Sequence, residues 1–241
     1  MGTQTGNDLF LGWQGSMKSL DLKTLGLREV NKTLGGEGQH GARFEVANPA
    51  GQHAIACGLQ APIEVDIRGH VGFYCAGMNQ EATVRVHGHA GVGLAENMMS
   101  GRVHVTGNAS QSAGATAHGG LLVIEGDTSS RCGISMKGVD IVVGGSVGHM
   151  SGFMAQAGNL VICGDAGEAL GDSIYEARIY LRGKAEGLGA DCVEKDMADE
   201  HVTDLARLLE EAGINADAAQ FRRYGSARKL YNFDVDNAGA Y

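Results

Sequence analysis

The sequence predicts an all-β protein built as a single-stranded right-handed parallel β-helix of seven 19-residue coils, with short helical extensions at both ends. Three observations predict it. A glycine returns every 19 residues, at Gly69, Gly88, Gly107, Gly126, Gly145, Gly164 and Gly183. Two aliphatic columns run in phase with it. Four residues before each glycine stand Val65, Val84, Val103, Leu122, Ile141, Leu160 and Ile179; two residues before it stand Ile67, Val86, Val105, Ile124, Val143, Ile162 and Leu181. Each copy reads as a short strand with apolar side chains at period two, ended by a glycine corner. Seven residues beyond each corner comes Ala76, Ala95, Gly114, Gly133, Gly152, Gly171 or Ala190, a second bend where only a very small side chain fits a crowded interior.

A fixed period returns the chain to the same place one strand spacing further along an axis. Neighbouring coils then pair as parallel strands ~4.8 Å apart, and seven of them make a rod on the order of 30 Å long. The right hand follows from the general preference of parallel crossovers. Neither a six-residue period nor the asparagine-leucine signature of leucine-rich repeats is present, which disfavours those solenoids.

The repeat divides the chain into three parts: residues 1–62, an N-terminal arm, short helix and irregular cap; residues 63–195, the β-helix; and residues 196–241, a helix followed by an aromatic and basic tail. Within the first part, Leu27, Val30 and Leu34 recur at helical spacing and Gly35-Gly36 stops them. Phe44, Val46, Ala54 and Ala56 form strand-like pieces out of phase with the repeat, read as an irregular turn covering the open end of the solenoid. After the last coil, residues 197–212 predict an amphipathic helix with Ala198, Val202, Leu205, Leu209 and Ala212 on one face, stopped at Gly213-Ile214 and expected to cap the far end of the stack.

Composition narrows the class. Thirty-nine glycines against two prolines suit a tightly turning solenoid, and a net charge of −9 argues against nucleic acid as a partner. No apolar run approaches the ~20 residues of a membrane span. Five cysteines form no CxxC pair and read as buried thiols of a cytoplasmic protein.

Chemistry, if the solenoid carried any, would sit in the column just beyond the corner: His70, His89, Asn108, Asp127, Ser146, Asp165 and Lys184. His70 and His89, one coil apart with His87 and His104 nearby, are what a metal site would use, but a ladder of surface histidines beside the corners is the usual explanation. Asp127 and Asp165 lie two coils apart, near ~10 Å, wide for carboxylates sharing a water. GxG triplets follow the solenoid and do not open a helix after a strand, so they are no dinucleotide fingerprint. No catalytic, cofactor-binding or metal residue is assigned. A stand-alone β-helix enzyme would rely on His70, His89, Asp127 and Asp165.

The outward strand position, three residues before the corner, reads Asp66, Arg85 and His104, then Val123, Val142, Val161 and Tyr180. An exposed apolar stripe of that length must be covered, either by the chain's own C-terminal segment or by another subunit. Together with Arg222, Arg223, Tyr224, Arg228, Lys229, Tyr231 and Phe233 of the tail, the stripe gives the expected subunit interface.

The repeated aliphatic-x-aliphatic-x-Gly pattern with small second corners resembles the GXGXG domain. That β-helix closes the glutamate synthase large subunit and recurs in one of the subunits of formylmethanofuran dehydrogenase. The segment Leu27-Arg-Glu-Val-Asn31 and the segment from Phe221 to Phe233 are similar to the small glutamate-synthase-like subunit of N-methylglutamate synthase. The resemblance implies a non-catalytic structural subunit of a hetero-oligomer. A class II glutamine amidotransferase subunit would release ammonia, and an FMN-binding synthase subunit, also holding an iron–sulfur cluster, would use it. Position 2 is Gly, so no cysteine nucleophile follows the initiator Met. A scaffold subunit of formylmethanofuran dehydrogenase and a stand-alone β-helix enzyme stay open as alternatives.

Overall fold

A computed structural model describes residues 17–36 and 40–228. The chain enters through strand β1 (Lys18–Asp21), helix α1 (Leu22–Leu34) and strand β2 (Arg43–Ala47). The repeat then supplies β3 (Glu64–Arg68), β4 (Thr83–Val86), β5 (Arg102–Val105), β6 (Leu121–Ile124), β7 (Lys137–Val143), β8 (Ala157–Ile162) and β9 (Arg178–Leu181). These nine strands pair in sequence order, each parallel to the one before. Val65 faces Val84, Val84 faces Val103, and the column continues in register to Leu160 opposite Ile179. Both aliphatic columns are wholly buried and form the interior of the solenoid.

The N-terminal region departs from the expected irregular cap. Phe44 pairs with Val65 and Val46 with Ile67, so β2 adds a coil to the same ladder, and β1 pairs in parallel with β2. The phase is lost because the step from Phe44 to Val65 is 21 residues instead of 19. Helix α1 then closes this end. Gly26 breaks its first turn with φ 74°, Val30 and Leu34 are buried, and Asn31 reaches into the coil beneath. Its side-chain amide donates to the Ala54 carbonyl at 2.7 Å and accepts from the Ala56 N–H at 2.8 Å.

The first six coils turn their second bend with left-handed residues in alternation, as at Ser112, Gly114 and Thr116 with φ 59°, 68° and 53°. Left-handed backbone costs a non-glycine residue about 1 kcal/mol. Bonds to both neighbouring coils offset this. Ser112 and Thr116 donate forward to Ser130 and Ile134, and Gly114 donates back to Leu94. A Cβ on Gly114 would lie 2.6 Å from Ile141 Cδ1, which is why this position is glycine.

The C-terminal end is built differently. β10 (Cys192–Lys195) leads into helix α2 (Asp199–Ala212), then a 3-10 turn (Ala218–Gln220) and β11 (Arg222–Ser226). β11 inserts antiparallel between β9 and β10, so the sheet order ends β9, β11, β10. Helix α2 does not cap the stack, contrary to the expectation above. It lies over the outer face, tied to β9 by Arg178 and Asp204 at 3.6 Å. Its other end is tied to β5, where Arg102 donates to the Glu211 carbonyl at 2.7 Å and so satisfies an acceptor at the helix C-terminus.

Candidate interaction surface

The corner column resolves into a hydrogen-bond ladder. The His70 Nδ1 accepts the His89 N–H at 2.9 Å, and the His89 Nδ1 accepts the Asn108 N–H at 2.9 Å. Asn108 then accepts from Asp127, Asp127 from Ser146, Ser146 from Asp165 and Asp165 from Lys184. Each side chain satisfies the amide of its equivalent one coil on. Any short acceptor serves, so histidine, asparagine, aspartate and serine share the column, and lysine, which cannot accept, ends it. The corner glycines follow from this. A Cβ on Gly107 would sit 2.6 Å from His89 Nδ1 and 2.7 Å from the Gly88 carbonyl oxygen.

This geometry bears on the two chemical readings of the column. The His70 and His89 rings are stacked at 4.8 Å and 20° between planes, so their free nitrogens point side by side instead of converging on one ion. Among the described residues no three His, Cys, Asp or Glu side chains are grouped to hold a metal. The carboxylates of Asp127 and Asp165 are engaged with backbone amides. The thiols are also placed for packing: burial pushes Cys57 and Cys192 up to about 11 and Cys132 to about 12, and raises Cys75 and Cys163.

The apolar stripe is the main correction to the sequence reading. Val123, Val142, Val161 and Tyr180 are wholly buried under α2 of the same chain. They form a second core with Leu205, Leu208, Leu209, Ala212 and Phe221. The stripe and the apolar face of α2 are both legible in the sequence; the structure shows that they cover each other, so these four residues do not face another subunit.

The tail cations are likewise engaged within the chain. Arg222 donates to the Gly183 carbonyl at 2.7 Å, stands 3.8 Å from Glu194 and lies over the Tyr224 ring at 5.8 Å. Arg223 donates to the Asp196 carbonyl at 2.9 Å, and Arg228 pairs with Asp191. Tyr224 is buried in the solenoid interior. These residues pack the antiparallel end. Lys229, Tyr231 and Phe233 lie outside the described residues.

A different surface, unmarked in the sequence reading, is apolar and open. Phe73 and Val92 hold the same place in successive coils and are 47% and 40% exposed, with Met78 at 46% on the first of these coils. Tyr74 stacks on Phe73 at 5.5 Å and His53 meets it edge-on at 6.3 Å. The column offers a signal, since its later members (Gln111, Ser130, His149 and Glu168) are polar. Among the described residues no helix is long and apolar enough to cross a membrane.

Protein GlxC of Rhizobium meliloti (strain 1021) is 59% identical to this chain over 228 residues, a span covering 93% of this chain and 100% of that protein. No family model matches the chain.

Proposed function

Because the chain belongs to the family of Protein GlxC, we propose that it is a structural subunit of a glutamate-synthase-like complex, of the N-methylglutamate synthase type. In this reading the solenoid holds a class II glutamine amidotransferase subunit and an FMN-binding synthase subunit in fixed relation, and ammonia passes between those two partners. FMN and the iron–sulfur cluster belong to the synthase partner; the substrate is glutamine, with methylamine or ammonia entering the product.

The observation that carries the reading is the corner ladder. The residues a β-helix enzyme would rely on, His70, His89, Asp127 and Asp165, each accept a backbone N–H from the next coil. Their role is to keep coils in register, as a rigid spacer requires. The exposed pair Phe73 and Val92, one above the other in successive coils, is the contact surface in this proposal, because large exposed apolar side chains on a rigid element suit a partner interface.

Co-expression with the two partner subunits tests it. A tagged chain should capture both, and glutamine-dependent formation of glutamate or N-methylglutamate should require all three. Phe73→Asp with Val92→Asp should leave the free chain folded and abolish capture. Glutamine hydrolysis or FMN binding by the purified chain alone would overturn the proposal.

A further inference from the structure

The end of the sheet carries a feature that scaffolding does not explain. Lys195 on β10 lies directly opposite Arg223 on β11, and Arg223 lies opposite Tyr180 on β9. Tyr180 belongs to the outer face, and strand alternation puts Arg178 on that face too. Arg178, Lys195, Arg223 and Arg228, with Glu176 and His201, line a polar cleft of about 380 Å³. Four cations thus converge at one place in a chain of net charge −9.

Among the described residues, the acids leave this cluster only partly neutralised. Arg228 pairs with Asp191, and Arg178 meets Asp204 at 3.6 Å. Arg223 spends its Nε on the Asp196 carbonyl, and neither it nor Lys195 has an ion pair among the described residues. Like charges directly opposite on antiparallel strands destabilise the pairing. Next to Arg223 in the sheet, Tyr180 is wholly buried.

We propose that this cleft binds a small dianion presenting carboxylate or phosphate oxygens. Arginine forks match the geometry of either oxyanion and lysine adds a mobile point charge. A volume of about 380 Å³ falls in the range of small-molecule sites. A bound dianion would turn the repulsion between Lys195 and Arg223 into a shared attraction. The inference goes beyond the scaffold reading and stands without it.

The test is calorimetric titration of the full chain with inorganic phosphate and, separately, with glutarate, both at ionic strength fixed with sodium chloride. Saturable binding of either anion is expected, and which of them binds distinguishes phosphate from carboxylate recognition. Arg223→Gln or Lys195→Gln should weaken it about tenfold. Without anion, Lys195→Gln should melt above the wild type, because the like-charge pair is gone; with anion, the wild type should gain and both variants should gain little. Amide shifts on titrating the wild type should centre on β9, β10 and β11, a readout that depends on no variant. No saturable binding of either anion, binding by both variants as tight as by the wild type, or shifts spread over the whole solenoid would overturn the proposal.

Discussion

The outer face of the sheet is one backbone surface with two finishes. Over β3 to β5 its central position is Asp66, Arg85 and His104; over β6 to β9 it is Val123, Val142, Val161 and Tyr180. The polar half satisfies itself with cross-strand pairs: Asp66 with His87 at 2.8 Å, Arg85 with Glu64 at 3.4 Å, His104 with Glu125 at 2.8 Å. The apolar half is covered by α2. Backbone register is the same in both, so one side chain per coil decides whether the face stays open or takes a helix. The energies differ accordingly. These partly buried polar pairs contribute about 1 kcal/mol each, whereas burying three valines and a tyrosine contributes several kcal/mol at ~25 cal/mol per Å².

The largest test of that difference is Val142→Asp against Arg85→Ala. The first puts an unpaired carboxylate under α2 and should cost about 3–5 kcal/mol in urea unfolding; the second should cost about 1 kcal/mol or less. Equal small losses would mean that α2 does not hold the apolar half. The next effect lies at the corners, which run alike beneath both halves. Gly107→Ala should cost about 2–3 kcal/mol by overpacking. Gly187→Ala, where an added Cβ meets nothing within 4 Å, should be neutral or slightly stabilising. Smaller still is the ladder itself. His89→Ala and Asp127→Ala should each cost about 1 kcal/mol, and His89→Asn should restore the loss because asparagine already serves one coil on. A large inequality between the two alanine variants would tie the ladder to one half of the face.

The smallest effect is a pH slope confined to the polar half. Burial holds His104 below the ordinary histidine value, with the Glu125 hydrogen bond pulling the other way. The unfolded chain therefore takes up this proton first. Its contribution to stability is full above the ordinary histidine value and falls as pH drops from there towards the lowered one. His104→Gln should flatten that part of the stability curve, and Val123→Ala should leave its shape unchanged.

How much of this can be read from the sequence follows from what repeats. The columns of Val65 and Ile67 place β3 to β9 in register, because an aliphatic pair and a glycine at fixed spacing admit one coil length. β1 and β2 escape because their spacing differs, though their residues fill the same columns. The insertion of β11 is invisible, since Arg222–Ser226 has the composition of a tail and its pairing is with residues about 40 positions back. At the candidate surface, the corner column stands out in the letters for its histidines. Its common property, a short acceptor in six successive coils, is the better signal and is equally present there.

That ladder also sets how the rod can change in length. Each coil asks its predecessor only for an acceptor, and His, Asn, Asp and Ser answer equally. Excising 19 residues, such as 83–101, therefore joins two coils that still fit, with every interior column in phase and an acceptor below each corner amide. Removing 18 or 20 turns interior side chains outward. Duplication obeys the same arithmetic, so the distance this solenoid spans is adjustable in whole coils of ~4.8 Å. Lys184, with a donor where an acceptor is needed, is the point at which that series stops and the antiparallel end begins.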